Sequence, residues 1–269
     1  MPKASFYHVD AFTGELFTGN PAAVCLMPCN LHDSLYLSIS KEMNLSETAF
    51  LEKTDDAYKL RWFTPITEVP LCGHATLAAA HVLFNHLGYN DGRIVFNTLS
   101  GQLIAIKVRD GIQMDFPQNK PHPVDPPREA LNAIGIKKWR NIRYSRTARY
   151  LLVHIDNVET LRALTPDFQA LLKSPNPYGW SGVIVTAEAS GDYDFISRFF
   201  APYFGINEDP VTGSAHTVLG PYWAELLGKR KMRAYQASTR GGELTIKLSG
   251  NRVLLTGGCL TVLAGTLTY

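Results

Sequence analysis

One stretch of this 269-residue chain occurs twice. Residues 61–88 read RWFTPITEVPLCGHATLAAAHVLFNHLG, and residues 198–228 read RFFAPYFGINEDPVTGSAHTVLGPYWAELLG. Arg61, Phe63 and Pro65 recur 137 positions later as Arg198, Phe200 and Pro202. After a three-residue insertion, Glu68, Pro70, Gly73, Ala75, Leu87 and Gly88 recur 140 positions later as Glu208, Pro210, Gly213, Ala215, Leu227 and Gly228. A single duplication of this length predicts two similar half-molecules, since a solenoid needs at least three stacked units. Residues that both copies share point to architecture. Polar residues that only one copy carries are the first candidates for chemistry.

Bulk properties remove several classes of function. The formal net charge is +2 with no long basic block, which gives no footprint for nucleic acid or a polyanionic surface. No apolar run approaches the roughly 18 residues of a membrane-spanning helix, and MPKASFYHVDAF does not read as a secretory signal. The cysteines, Cys25, Cys29, Cys72 and Cys259, form no CxxC pair, and the eight histidines form no HExxH. A cytoplasmic protein with free thiols and no metal is therefore expected.

The hydrophobic pattern fills in the halves. Short alternating or apolar runs predict strands at 4–10, 22–27, 46–53, 59–63, 93–98, 102–108 and 111–117, with helical spacing over 31–43. PQNKPHPVDPP, with five prolines, marks the boundary. The second half repeats the plan with strands at 150–155, 182–188, 195–200 and through 232–257, and a helix at 165–173. The expected halves are 1–117, with a central helix 73–87, and 127–258, with a central helix 213–227. A last strand, 259–269, is expected to pack back on the first half. Each central helix is apolar on all faces and so buried all round. Strands greatly outnumber helices, which favours an α+β fold of mostly antiparallel sheets, each rolled around one helix, over a doubly wound parallel sheet.

Each central helix is opened by a glycine, in Cys72-Gly73-His74 and Thr212-Gly213-Ser214. The first N–H groups of a helix lack internal partners, and glycine lets an anion approach them. Gly73, Gly213 and Ser214 are therefore candidates for binding a carboxylate, beside the plainer role of tight helix entry. His74 and Asp209 are the unshared polar groups: His74 suits proton exchange or hydrogen bonding, and Asp209 suits orienting an imidazole or amine, with partly buried and turn-capping roles as alternatives. Glu68 and Glu208 are shared and are assigned to loop architecture. Glu47, in NLSETAFLE, reads either as a capping glutamate or as a carboxyl on the apolar face of a strand, where its pKa would rise toward the range of a general acid or base. Cys72 at a helix start suits a thiolate base. A two-thiol racemase is excluded, because Thr212 stands where the second cysteine would be.

The stretches DAFTGELFTGNPAAVCL, EMNLSETAFL, RWFTPITEVPLCGHATLAAA, YFGINEDPVTGSAH and RGGELTI together closely resemble the PhzF family of phenazine-biosynthesis-like isomerases, within the diaminopimelate epimerase-like superfamily. Several look especially like its MAWD-binding-protein branch. The resemblance implies two pseudo-symmetric domains with the active site between them, no metal or organic cofactor, and a homodimer. It also implies an isomerase acting on a small carboxylate, with Glu47 moving a proton, His74 and Asp209 as its catalytic partners, and Gly73, Gly213 and Ser214 binding substrate. Two further readings stay open: a Cys72-dependent dehydratase or epimerase of a proline-like acid, and a non-catalytic binding or scaffold protein that keeps the fold.

Overall fold

The computed structural model describes all 269 residues. They divide into two compact units, Met1–Asp115 with Leu254–Tyr269, and Phe116–Val253. The first unit begins β1 (Lys3–Ala11), β2 (Asn20–Met27), α1 (Asp33–Met43), β3 (Thr48–Lys53), β4 (Tyr58–Phe63) and β5 (Glu68–Val69). It continues with α2 (Gly73–Asn85), β6 (Arg93–Thr98), β7 (Gly101–Val108) and β8 (Gly111–Pro117). The second begins β9 (His122–Pro123), α3 (Arg128–Ile134), β10 (Asn141–Ser145), β11 (Tyr150–His154), α4 (Val158–Ala163), α5 (Phe168–Lys173) and β12 (Gly182–Glu188). There follow β13 (Phe195–Phe200), a 3-10 turn (Pro202–Phe204), α6 (Gly213–Leu227), β14 (Lys231–Gln236), β15 (Gly242–Ser249) and β16 (Arg252–Gly257). The last four residues of β16 already belong to the first unit, as does the final strand, β17 (Cys259–Thr268).

Strand pairing repeats as the sequence does. In the first unit β2 runs parallel to β3, β3 antiparallel to β4, β4 parallel to β6, and β6 antiparallel to β7. In the second, β11–β12, β12–β13, β13–β14 and β14–β15 follow the same order of parallel and antiparallel pairs. The fold class is α+β, with mixed sheets, few helices and a pseudo-symmetric plan. β17 lies antiparallel along all of β1, from Lys3 opposite Thr268 to Ala11 opposite Cys259.

The central helices owe their place to composition. Every residue of α2 from His74 to Phe84 is buried except His81, and the helix packs on β1, β2, β3, β7 and β17. Leu77, Val82 and Leu83 are fully inaccessible, and each such side chain contributes about 1.5–3 kcal/mol, an upper estimate. The helix ends at Asn85, two residues before the expected end. Gly88 takes φ +64° in the turn that follows, where Tyr89 N–H bonds back to the Leu83 carbonyl. α6 is buried in the same way and packs on β14 and β15. It runs straight through Pro221, which has no N–H to give the carbonyl four residues back, that of Thr217. The backbone N–H of Asn119 bonds that carbonyl at 3.1 Å instead, and Asn119 Nδ2 donates to Thr217 Oγ1 at 2.7 Å.

The shared Arg–Glu pairs take up the architectural role. Arg61 donates through Nε and a terminal nitrogen to both oxygens of Glu68, each at 2.7 Å, and Arg198 makes the same fork with Glu208 at 2.7 and 2.8 Å. Each guanidinium also lies 4.9 Å from the centroid of the phenylalanine two residues on, Phe63 or Phe200. The fork ties each β-strand to the loop that delivers the following helix start.

Candidate active site

In the first unit, three side chains converge at the start of α2. Cys72 is its N-cap and Gly73 its first residue, and the Cys72 side chain makes no cap hydrogen bond to the first N–H groups of the helix. His74 is 5% exposed. Asn20, the first residue of β2, donates from Nδ2 to His74 Nδ1 at 3.2 Å, and Cys72 Sγ lies 3.5 Å from the same nitrogen. Nδ1 is thus the acceptor and Nε2 carries the hydrogen. Nε2 lies 3.5 Å from Glu47 Oε2 and 3.4 Å from Ser46 Oγ.

Glu47 does not sit on a strand face. It occupies the loop one residue before β3, so the apolar face of a strand does not explain its setting. The turn that follows Asn44, whose left-handed φ of 50° ends α1, carries Ser46 and Glu47 to the α2 start. The carboxyl side chain is only 20% exposed. Burial raises its pKa above the usual carboxylate range, against the opposing pull of hydrogen bonds from Ser46 and Cys72. A carboxyl raised in this way and set beside an imidazole N–H is suited to exchange protons.

The second unit builds a different set around the start of α6. The Thr212 hydroxyl donates to Asp209 Oδ2 rather than capping the helix. Gln236, at the end of β14, locks this loop: its Oε1 accepts from Thr212 N–H at 2.9 Å, and its Nε2 donates to the Asp209 carbonyl at 2.7 Å. Ser214 Oγ lies 3.0 Å from Tyr150 Oη. His216, one turn in, has its Nδ1 2.8 Å from the Thr212 carbonyl and is fully buried. Burial holds its pKa down to about 4, so it is neutral and structural at physiological pH.

The structure therefore brings Glu47, His74 and Gly73 together in the first unit, and Asp209, Gly213 and Ser214 together in the second. The sequence reading did not single out Asn20, Ser46, Gln236 or Tyr150. Asn20 and Ser46 lie inside the quoted DAFTGELFTGNPAAVCL and EMNLSETAFL stretches, which was the available signal. Gln236 and Tyr150 lie in ordinary strand sequence and gave none.

The chain is similar to known proteins along its whole length. The family model described as phenazine biosynthesis-like protein, PhzC-PhzF, matches residues 9–265. An uncharacterized isomerase of Halalkalibacterium halodurans is 47% identical, with 99% of each chain covered. A phenazine biosynthesis-like domain-containing protein of Bos taurus is 46% identical, again with 99% of each covered. A crystal structure of a PhzF-family phenazine biosynthesis protein from Enterococcus faecalis superposes with TM-score 0.91 at 41% identity, covering all of both chains. A hydroxyproline epimerase from Agrobacterium vitis, solved with bound trans-4-hydroxy-L-proline, shares the fold at TM-score 0.60 and 13% identity, covering 98% of this chain and 92% of that one. With the repeated helix starts and these similarities, the chain belongs to the phenazine biosynthesis-like, or PhzF, family.

Proposed function

We propose that the chain is a cofactor-independent isomerase that moves a proton on a small carboxylate substrate, with Glu47 as general acid and base. The carrying observation is the Glu47 carboxyl, raised in pKa by burial and set 3.5 Å from His74 Nε2. As carboxylate, Glu47 takes a proton from a carbon next to a conjugated or electron-withdrawing group. The electron pair passes into that group as an enolate-like anion. Glu47 then returns the proton to a different carbon of the same system, so nothing is consumed. His74 holds a substrate hydroxyl or amine, and the N–H groups at the Gly73 helix start stabilise negative charge, a term worth several kcal/mol in comparable sites. Asp209, Gly213 and Ser214 are proposed as further substrate-positioning groups, because the Thr212 hydroxyl is spent on Asp209 and makes no cap bond to α6. The isomerase naming of the Halalkalibacterium relative supports the reaction class.

The test is solvent-deuterium exchange followed by proton NMR over a panel of small cyclic and amino carboxylates. The unmodified protein exchanges one substrate carbon-bound proton, and Glu47→Gln lowers that rate by about 100-fold or more. Exchange that persists in Glu47→Gln overturns the assignment. A second reading, Cys72-dependent proton chemistry, is favoured by the 3.5 Å approach of Cys72 Sγ to His74 Nδ1. Loss of exchange in Cys72→Ser with retention in Glu47→Gln selects it.

A further inference from the structure

We propose that Glu47, Cys72 and His74 form a binding site for a thiophilic divalent transition metal such as Zn²⁺, through which the metal shuts the site down. Taking one donor atom from each residue, carboxylate oxygen, thiol sulfur and imidazole nitrogen all lie within 4.8 Å of one another. Tetrahedral zinc, with bonds of about 2.0 Å to oxygen and nitrogen and about 2.3 Å to sulfur, needs donors about 3.3–3.8 Å apart. The approaches of Cys72 Sγ to the imidazole and of Glu47 Oε2 to the imidazole, both 3.5 Å, already have that length. They are made to opposite ring nitrogens, so ligation through Nε2 requires Cys72 Sγ, already hydrogen-bonded to the Glu47 carboxyl, to turn about its Cα–Cβ bond away from Nδ1. Cys72 and His74 are both buried, so water does not compete strongly for the donors.

The surroundings favour ligation through Nε2. Asn20 holds Nδ1, and a half-turn of its amide presents the oxygen to Nδ1–H, the outer-shell hydrogen bond that orients most ligating histidines. One thiolate, one imidazole and one carboxylate select Zn²⁺, Co²⁺ or Cd²⁺ over the oxygen-seeking Mg²⁺ and Ca²⁺. Three protein ligands leave a fourth position for water or for the carboxylate of a substrate. On binding, the Cys72 thiol gives its proton to solvent, the imidazole proton moves from Nε2 to Nδ1, and Glu47 and His74 commit lone pairs to the metal. That shutdown rests on the isomerase reading; the metal site does not.

Cobalt(II) is the probe, because a thiolate ligand gives it a charge-transfer absorption that oxygen and nitrogen ligands do not. Titrating the full chain is expected to produce that band at one cobalt per chain, displaced by zinc. Cys72→Ser removes the band, Glu47→Gln weakens binding by about tenfold or more, and Cys29→Ser, at the exposed cysteine, leaves it unchanged. A second measurement uses no variant: zinc protects Cys72 from alkylation, read by mass spectrometry, while Cys29 stays reactive. A band that is absent, that survives Cys72→Ser or that disappears in Cys29→Ser overturns the site, as does alkylation of Cys72 at an unchanged rate under saturating zinc. Because these readouts need no substrate, a failed metal site leaves the exchange result standing, and a failed exchange result leaves the metal titration standing.

Discussion

His216 makes a sharp prediction about acid. It lies at 0% exposure in the second unit, near the Phe195 and Trp223 rings that stack at 5.3 Å. Its Nδ1–H is committed to the Thr212 carbonyl, and its buried Nε2 meets no hydrogen-bond partner. Protonation would place an unpaired N–H and a charge in an apolar interior, which is why its pKa falls from 6.5 to about 4. The folded state thus binds the proton more weakly than the unfolded chain. Its stabilising share is present above pH 6.5 and is lost as pH falls toward 4. Linkage between those two values gives a loss of about 2 kcal/mol from pH 7.5 to pH 5, approaching about 3.4 kcal/mol below pH 4. His216→Met keeps the volume and removes the titration. At pH 7.5 it costs about 1 kcal/mol for the lost side-chain hydrogen bond, because the Thr212 carbonyl keeps the backbone N–H of residue 216. Urea unfolding at a series of pH values, followed by circular dichroism, should therefore show crossing curves: the unmodified protein more stable at neutral pH, the variant more stable near pH 5. Parallel curves would refute the reasoning.

Two further outcomes follow from the ion pairs and from Glu47. Arg198→Met is expected to destabilise more than Arg61→Met in urea unfolding. Breaking either fork leaves a mostly buried glutamate, at about 3–5 kcal/mol. Arg198 also donates to the Leu161 and Leu164 carbonyls, whereas the additional partner of Arg61 is Asp33, 63% exposed; equal losses would contradict this account. Glu47 carries the opposite pH sign to His216. With a raised folded pKa, its contribution is intact below 4.5 and is lost as pH rises through the folded value. Glu47→Gln should raise the melting temperature at pH 8 and leave it unchanged at pH 4, and a fall at pH 8 would show that the carboxylate is not strained by burial.

Much of this arrangement is legible in the chain because it was written twice. The paired glycines give the helix starts, and the recurrence of Glu68 as Glu208 assigns both to the loops, where the structure shows each held in a fork, by Arg61 across 7 residues and by Arg198 across 10. Thr212, set against Cys72, removes the two-thiol mechanism before any coordinate is seen. What stays hidden depends on contacts between distant segments. Asn20 reaches His74 across 54 residues and Gln236 reaches Thr212 across 24, and neither leaves a periodic trace. Glu47 shows the limit of period-two reasoning: its stretch alternates like a strand, but the strand begins at Thr48, and the carboxyl is buried by a turn instead. α4 was hidden for a similar reason, as six residues capped by Asn157 carry too little periodicity to stand out.

The repair at Pro221 changes how the proline-rich connection should be regarded. By composition, 117–127 looks like a tether that could be cut or lengthened freely. Yet Asn119 supplies the donor that the interrupted α6 lacks, and Gln118 bonds the carbonyls of Asn251 and Gly250 through its N–H and side-chain amide. The segment is a splint on the helix whose first turn carries Ser214. A fragment of the second unit that begins after Pro121 would leave a buried carbonyl bare in the middle of that helix, so the seam for separating the halves lies before Phe116, not among the prolines.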